Sequence, residues 1–188
     1  MNKEELRLVL KKVLSRISKE QRVQKSKKIC RNLASTQHFK DASVVMVYMS
    51  LPYEVDTKDV ILSAWQQGKT VVAPRIEWEH KHMLAVEIHS LESDFMLGEH
   101  GIRNPVKTVL VPFEQIDLVI APALGFDRRG NRLGRGGAYY DRFFANGGMN
   151  AIKCGLAFQE QVVESVPTTM TDVPMDLLVT DEEVIYLV

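Results

Sequence analysis

Cysteine is nearly absent, with only Cys30 and Cys154 in 188 residues. They fall far apart, in segments that read as a helix and a strand. That spacing makes neither a metal knuckle nor a redox pair, so two buried free thiols are expected. An excess of charge of either sign is also lacking, since 24 Lys and Arg balance 24 Asp and Glu. A nucleic-acid coat or a dedicated polyanion binder needs a basic excess and is excluded; any anion site must be local. No apolar run nears the ~18 residues of a membrane span. The start, MNKEELRLVLKKVL, is charged and helical and lacks a signal-peptide core. A cytoplasmic chain in a reducing compartment, with no membrane or nucleic-acid partner, is therefore expected. No repeat, low-complexity tract or Pro/Ser linker divides the sequence, so a single domain over 1–188 is expected; the chain is also expected to be a monomer.

What is present is a mixture of two periods. Leu6, Val9, Leu10, Val13, Leu14 and Ile17 recur at spacings of three and four and predict an amphipathic helix. Ser18 reads as the N-cap of a second helix, with Gln21 closing a capping box and Val23, Ile29 and Leu33 facing inward. SVVMVYM at 43–49 is an apolar, largely β-branched run suited to a strand buried on both faces. A helix follows from the expected N-cap Thr57 to the C′ residue Gly68, and then a strand at 70–74. Further buried strands are expected at 117–123 and 151–158, an edge strand at 83–88, and two short strands around Asp181 and Glu182. The architecture these elements predict is one α/β sandwich with a mainly parallel sheet.

The densest chemistry lies at 128–144, RRGNRLGRGGAYYDRFF. It follows a strand, where α/β proteins place ligand sites. The loop is expected over 124–134 with a helix starting near Gly136. Unpaired N–H groups and the dipole at a helix start favour anions, and Gly134, Gly136 and Gly137 let the backbone approach a phosphate closely. Arg128, Arg129, Arg132 and Arg135 can grip oxygens bidentately. Tyr139 and Tyr140 offer ring faces, and Asp141 beside a phosphate suits Mg²⁺. No Gly-Lys-Ser/Thr or full dinucleotide fingerprint is present. Lys3 and Arg7 share a helix face, Glu54 follows the first strand, and Asp172 and Asp176 could cap, pair or bind metal. His80 and His82 share a strand face but lack the carboxylate or thiolate support of a metal site.

At ALGFDRRGNRLGRGGAYYDRF the chain resembles the 5-formyltetrahydrofolate cyclo-ligase family. Supporting motifs are Lys3/Leu6/Arg7, SLPYEVDT at 50–57, APR at 73–75 and DVPMD at 172–176. The resemblance implies a NagB/RpiA/CoA-transferase-like three-layer α/β/α fold. It implies ATP- and Mg²⁺-dependent closure of 5-formyltetrahydrofolate to 5,10-methenyltetrahydrofolate. On that likeness Lys3, Arg7 and the segment Arg132, Leu133, Gly134, Arg135, Gly136, Gly137, Ala138, Tyr139 and Tyr140 would bind ATP. Arg135 to Tyr139, with Met49 and Glu54, would face the small-molecule folate substrate; Arg135 and Tyr139 would act in catalysis. Asp141 and Asp172 would hold Mg²⁺. Gly137 and Ala138 stand where many relatives carry Lys and Gly, which leaves the arginines and the metal more of the γ-phosphate charge. The rival readings are a sugar-phosphate enzyme of the same fold, which needs neither ATP nor Lys3/Arg7, and a nucleotide- or RNA-binding module.

Overall fold

The computed structural model describes residues 1–187. Helix α1 (Lys3–Ser15) is capped by Asn2, whose side chain accepts the Glu4 and Glu5 N–H groups while Glu5 reaches back to the Asn2 N–H. Helix α2 (Lys19–Ser35) begins at the Ser18/Gln21 capping box, and Thr36 caps the short α3 (Gln37–Asp41). Strand β1 (Val44–Val47) leads to α4 (Lys58–Gln66), which closes at Gly68 with φ of +72°. Strand β2 (Thr70–Glu77) turns back into β3 (His82–Glu87). A small hairpin of β4 (Phe95–Leu97) and β5 (Arg103–Pro105) follows. Then come β6 (Leu118–Ala121), β7 (Gly125–Asp127), β8 (Arg132–Leu133) and α5 (Tyr139–Phe144). The chain ends through β9 (Ile152–Leu156), β10 (Val162–Val163), β11 (Leu177–Val179) and β12 (Val184–Tyr186).

Seven strands form the main sheet in the order β12-β11-β9-β6-β1-β2-β3. The inner five run parallel, and β12 and β3 close the edges antiparallel. Parallel strands must be covered on both faces, and the strand residues alternate accordingly. Val45 and Val47 join Leu10, Leu14, Ile29, Leu33, Phe39 and Ile61 of helices α1 to α4. Met46 and Val119 join Phe143 and Phe144 of α5, with Phe126 and Met175. Four helices thus cover one face, and one six-residue helix with loops covers the other. Phe126 lies against Gly155 of β9, where a Cβ would come within 2.5 Å of its ring.

Several expectations are corrected. Val9 and Val23 are exposed, because the buried line of α1 is Leu6, Leu10 and Leu14 and that of α2 is Ile29, Cys30 and Leu33. Thr57 does not cap α4: its hydroxyl donates to the Tyr48 carbonyl at 2.7 Å, and Asp56 accepts the Lys58 N–H at 2.9 Å instead. The expected loop at 124–134 holds the β7–β8 hairpin, to which β10 adds a parallel strand. Helix α5 starts at Tyr139 rather than near Gly136, because Gly136 (φ +113°) and Ala138 (φ +52°) take left-handed conformations that cannot belong to a right-handed helix. Among the described residues no helix is long and apolar enough to cross a membrane.

Candidate active site

The chain runs from β1 outward to β2 and later returns to β6 on the other side of β1. That reversal opens a crevice at the carboxyl ends of the two strands. A cavity of about 330 Å³ lies there. Tyr48, Met49, Leu51 and Glu54 follow β1 into it, Pro122 follows β6, and Pro74 and Ile76 come from β2. Lys3 and Arg7 of α1 and the run from Arg132 to Asp141 form the opposite wall, with Asp172 beside them. Every residue that the family resemblance assigns to the site therefore borders one cleft.

The contacts within it are specific. Arg7 Nε donates to the Gly134 carbonyl at 2.9 Å, joining the first helix to the glycine turn. Lys3 Nζ lies 2.5 Å from Asp172 Oδ2, which also accepts the Thr169 N–H. Burial alone would raise the Asp172 pKa, but Lys3 and Thr169 outweigh it and hold the carboxyl below its ordinary value. Arg132 is almost wholly buried: it meets Asp141 Oδ2 at 3.0 Å, donates to the Pro122 carbonyl and packs over the Tyr140 ring. Its Nε is buried without a partner. Asp141 Oδ1 accepts the Val173 N–H at 3.2 Å.

Arg135 points across the cleft. It meets Glu54 Oε1 at 2.8 Å and stacks 4.5 Å from the Tyr53 ring centroid. Glu54 is 7% exposed, and its other oxygen accepts the Leu51 N–H. Burial pushes the Glu54 pKa up, against the opposing pull of Leu51 and Arg135. Tyr139 is oriented edge-on by Trp78 and capped by the Arg142 guanidinium at 5.0 Å. Burial also raises the Tyr140 phenol.

Arg128 and Arg129 do not line the cleft. Arg128 pairs with Glu183, and Arg129 reaches Ser165 and Asp127. Asp176 pairs with Lys153. Tyr53, Trp78, Thr169, Thr171 and Arg103 were missed in the sequence. Thr169 alone had a local signal, a hydroxyl three residues before an aspartate. Thr171 and Arg103 reach the cleft, and Tyr53 and Trp78 reach its Arg135 and Tyr139, through tertiary packing.

Among the described residues no three His, Cys, Asp or Glu side chains gather into a metal cage. Asp141 and Asp172 supply one or two carboxylates at the cleft, which suits Mg²⁺, an ion usually completed by substrate phosphates and water.

The 5-formyltetrahydrofolate cyclo-ligase family matches residues 1–181. A 5-formyltetrahydrofolate cyclo-ligase from Haemophilus influenzae is 31% identical, covering 94% of this chain and 97% of its own. One from Mus musculus is 29% identical over 91% of this chain and 89% of its own. The NMR structure of Aquifex aeolicus 5,10-methenyltetrahydrofolate synthetase superposes with a TM-score of 0.86 and 32% identity, covering 100% of this chain and 93% of that one.

Proposed function

This chain belongs to the 5-formyltetrahydrofolate cyclo-ligase family, and from that premise we propose that it consumes ATP, with Mg²⁺, to close 5-formyltetrahydrofolate to 5,10-methenyltetrahydrofolate. The observation that carries the reading is the convergence of Lys3 and Arg7 with the glycine-arginine turn on one cleft. A sugar-phosphate isomerase has no need of so many cations for a triphosphate.

The chemistry needs two corrections to the substrate. N5 donates into the formyl carbonyl, so the carbon is a poor electrophile and its oxygen a poor leaving group. Transfer of the γ-phosphoryl group of ATP to that oxygen remedies both. N10 then attacks the carbon and loses its proton, and the C–O bond breaks to release phosphate. ADP is the other product. Phosphoryl transfer requires mainly alignment and charge neutralisation. Lys3 and Arg7 supply positive charge that the folded cleft already holds in position, and Arg135 would add a third cation. Mg²⁺ held by Asp141 and Asp172 would neutralise the β- and γ-phosphate oxygens. Arg132, paired with Asp141, fixes that carboxylate and would border the nucleotide with the rest of the turn. A Cβ at Gly134 would press on the Arg132 guanidinium and one at Gly137 on the Tyr139 ring, so these glycines let both side chains close on the turn. Glu54, with Met49 beside it, would accept N–H groups of the pterin ring. No nucleophilic side chain is required.

The direct test incubates the purified chain with 5-formyltetrahydrofolate, Mg²⁺ and ATP and follows the near-ultraviolet absorbance of the methenyl product. ATP-dependent growth of that band is expected; none under any nucleotide would remove the reading. Asp141→Asn should raise the Mg²⁺ concentration for half-maximal rate by about tenfold. An unchanged Mg²⁺ titration would remove the metal role from this residue.

A further inference from the structure

The Glu54–Arg135 pair joins the two halves of the cleft. Arg135 comes from the glycine-arginine turn, and Glu54 comes from the loop after β1. If the turn binds the triphosphate and Glu54 the pterin, each ligand needs a group that its neighbour now holds. We propose that Glu54 withholds Arg135 from the nucleotide until folate is bound, so that the phosphoryl group passes to the formyl oxygen and not to water. This inference rests on the reading above.

The physical reason is burial. The Glu54 side chain is 7% exposed and has two partners, the Leu51 N–H and Arg135. Drawing Arg135 towards a phosphate with the pterin site empty strands a carboxylate out of water, which is strongly unfavourable. A pterin ring brings N–H donors to that carboxylate, and the penalty then disappears. Arg135 is free to turn: its side chain is 37% exposed, and the Tyr53 ring beneath it guides without clamping. Arg132 cannot substitute, since it is 4% exposed and committed to Asp141. Without folate the γ-phosphate therefore lacks one of its charge partners, and hydrolysis of ATP by water to ADP and phosphate is slow. Coupling of this kind is reciprocal, so nucleotide must tighten folate by the factor by which folate tightens nucleotide.

The test uses the whole chain, Mg²⁺ and a non-hydrolysable ATP analogue, titrated with and without 5-formyltetrahydrofolate. The wild type should bind the analogue about tenfold tighter with folate present. In Glu54→Gln the analogue alone should bind about tenfold tighter than it does to the wild type, with folate adding little. Phosphate release from ATP without folate should rise by a similar factor in that variant. Absence of synergy in the wild type overturns the proposal. So does a Glu54→Gln chain with wild-type affinity and wild-type phosphate release in the absence of folate. If Glu54→Gln does not fold, Arg135→Ala decides: synergy must vanish there, and its survival refutes the gate. Failure of the wild type to make methenyl product from ATP and folate is a separate result and would instead sink the proposed activity.

Discussion

Arg132 and Arg135 lie three residues apart, and their surroundings assign them different work. Arg132 is buried against Asp141 and the Pro122 carbonyl. Arg132→Ala strips the partner from a carboxylate that is 14% exposed, and should cost about 3 kcal/mol or more in chemical denaturation. Arg135 is the more exposed of the two, but Arg135→Ala leaves the buried Glu54 carboxylate with the Leu51 N–H and should cost about 2 kcal/mol. Its larger effect should be on KM for ATP, raised about tenfold or more if one charge-assisted phosphate contact is lost. An equal rise of KM for ATP in the two variants would contradict this division. Ala138 carries the other residue-scale consequence. Its φ of +52° places Cβ against the following carbonyl. Ala138→Gly should stabilise the chain by about 1 kcal/mol, read as a higher denaturation midpoint. A lower midpoint would mean that the left-handed conformation is not held in solution.

Helix α1 presents Lys3 and Arg7 from its first two turns, and Asn2 holds that end by accepting two N–H groups. Asn2→Ala should cost about 1 kcal/mol and fray the turn that carries Lys3. KM for ATP should rise while KM for folate stays nearly constant; equal rises would separate the cap from the nucleotide side. The elements that support the site were readable where a single local pattern fixes them. The apolar runs of β1, β2, β6 and β9 could only be buried strands, and the α2 capping box is written within four residues. The β7–β8 hairpin was hidden because Gly125–Asp127 is short and its second partner, β10, lies far along the chain. The start of α5 was misplaced because glycines suggest a helix-terminal anion site but equally permit the left-handed turn that forms. The cleft cations were visible as residue types, yet no local pattern shows which arginines face inward. Arg128 and Arg129 differ from Arg135 only in what the distant Glu183, Ser165 and Glu54 offer them.

At the scale of the molecule, the cleft joins the two ends of the chain. Lys3 of the first helix and Asp172 near the last strands meet at 2.5 Å, and Arg7 ties the same helix to Gly134. A ligand gripping these pieces binds only the folded arrangement, because the unfolded chain does not bring them together. Its free energy of binding therefore adds to global stability. Nucleotide with Mg²⁺ at a hundred times its dissociation constant should stabilise the fold by about 2.7 kcal/mol. For a chain of 188 residues that corresponds to a rise of about 5–10 °C in Tm. Lys3→Ala removes a cation from the mouth of the cleft. The variant should keep most of its ligand-free Tm, since Lys3 contributes a partly exposed pair. It should lose much of the nucleotide-induced rise at the same nucleotide concentration. A full rise in Lys3→Ala would place the triphosphate away from α1, and the two ends of the chain would then meet for structural reasons alone.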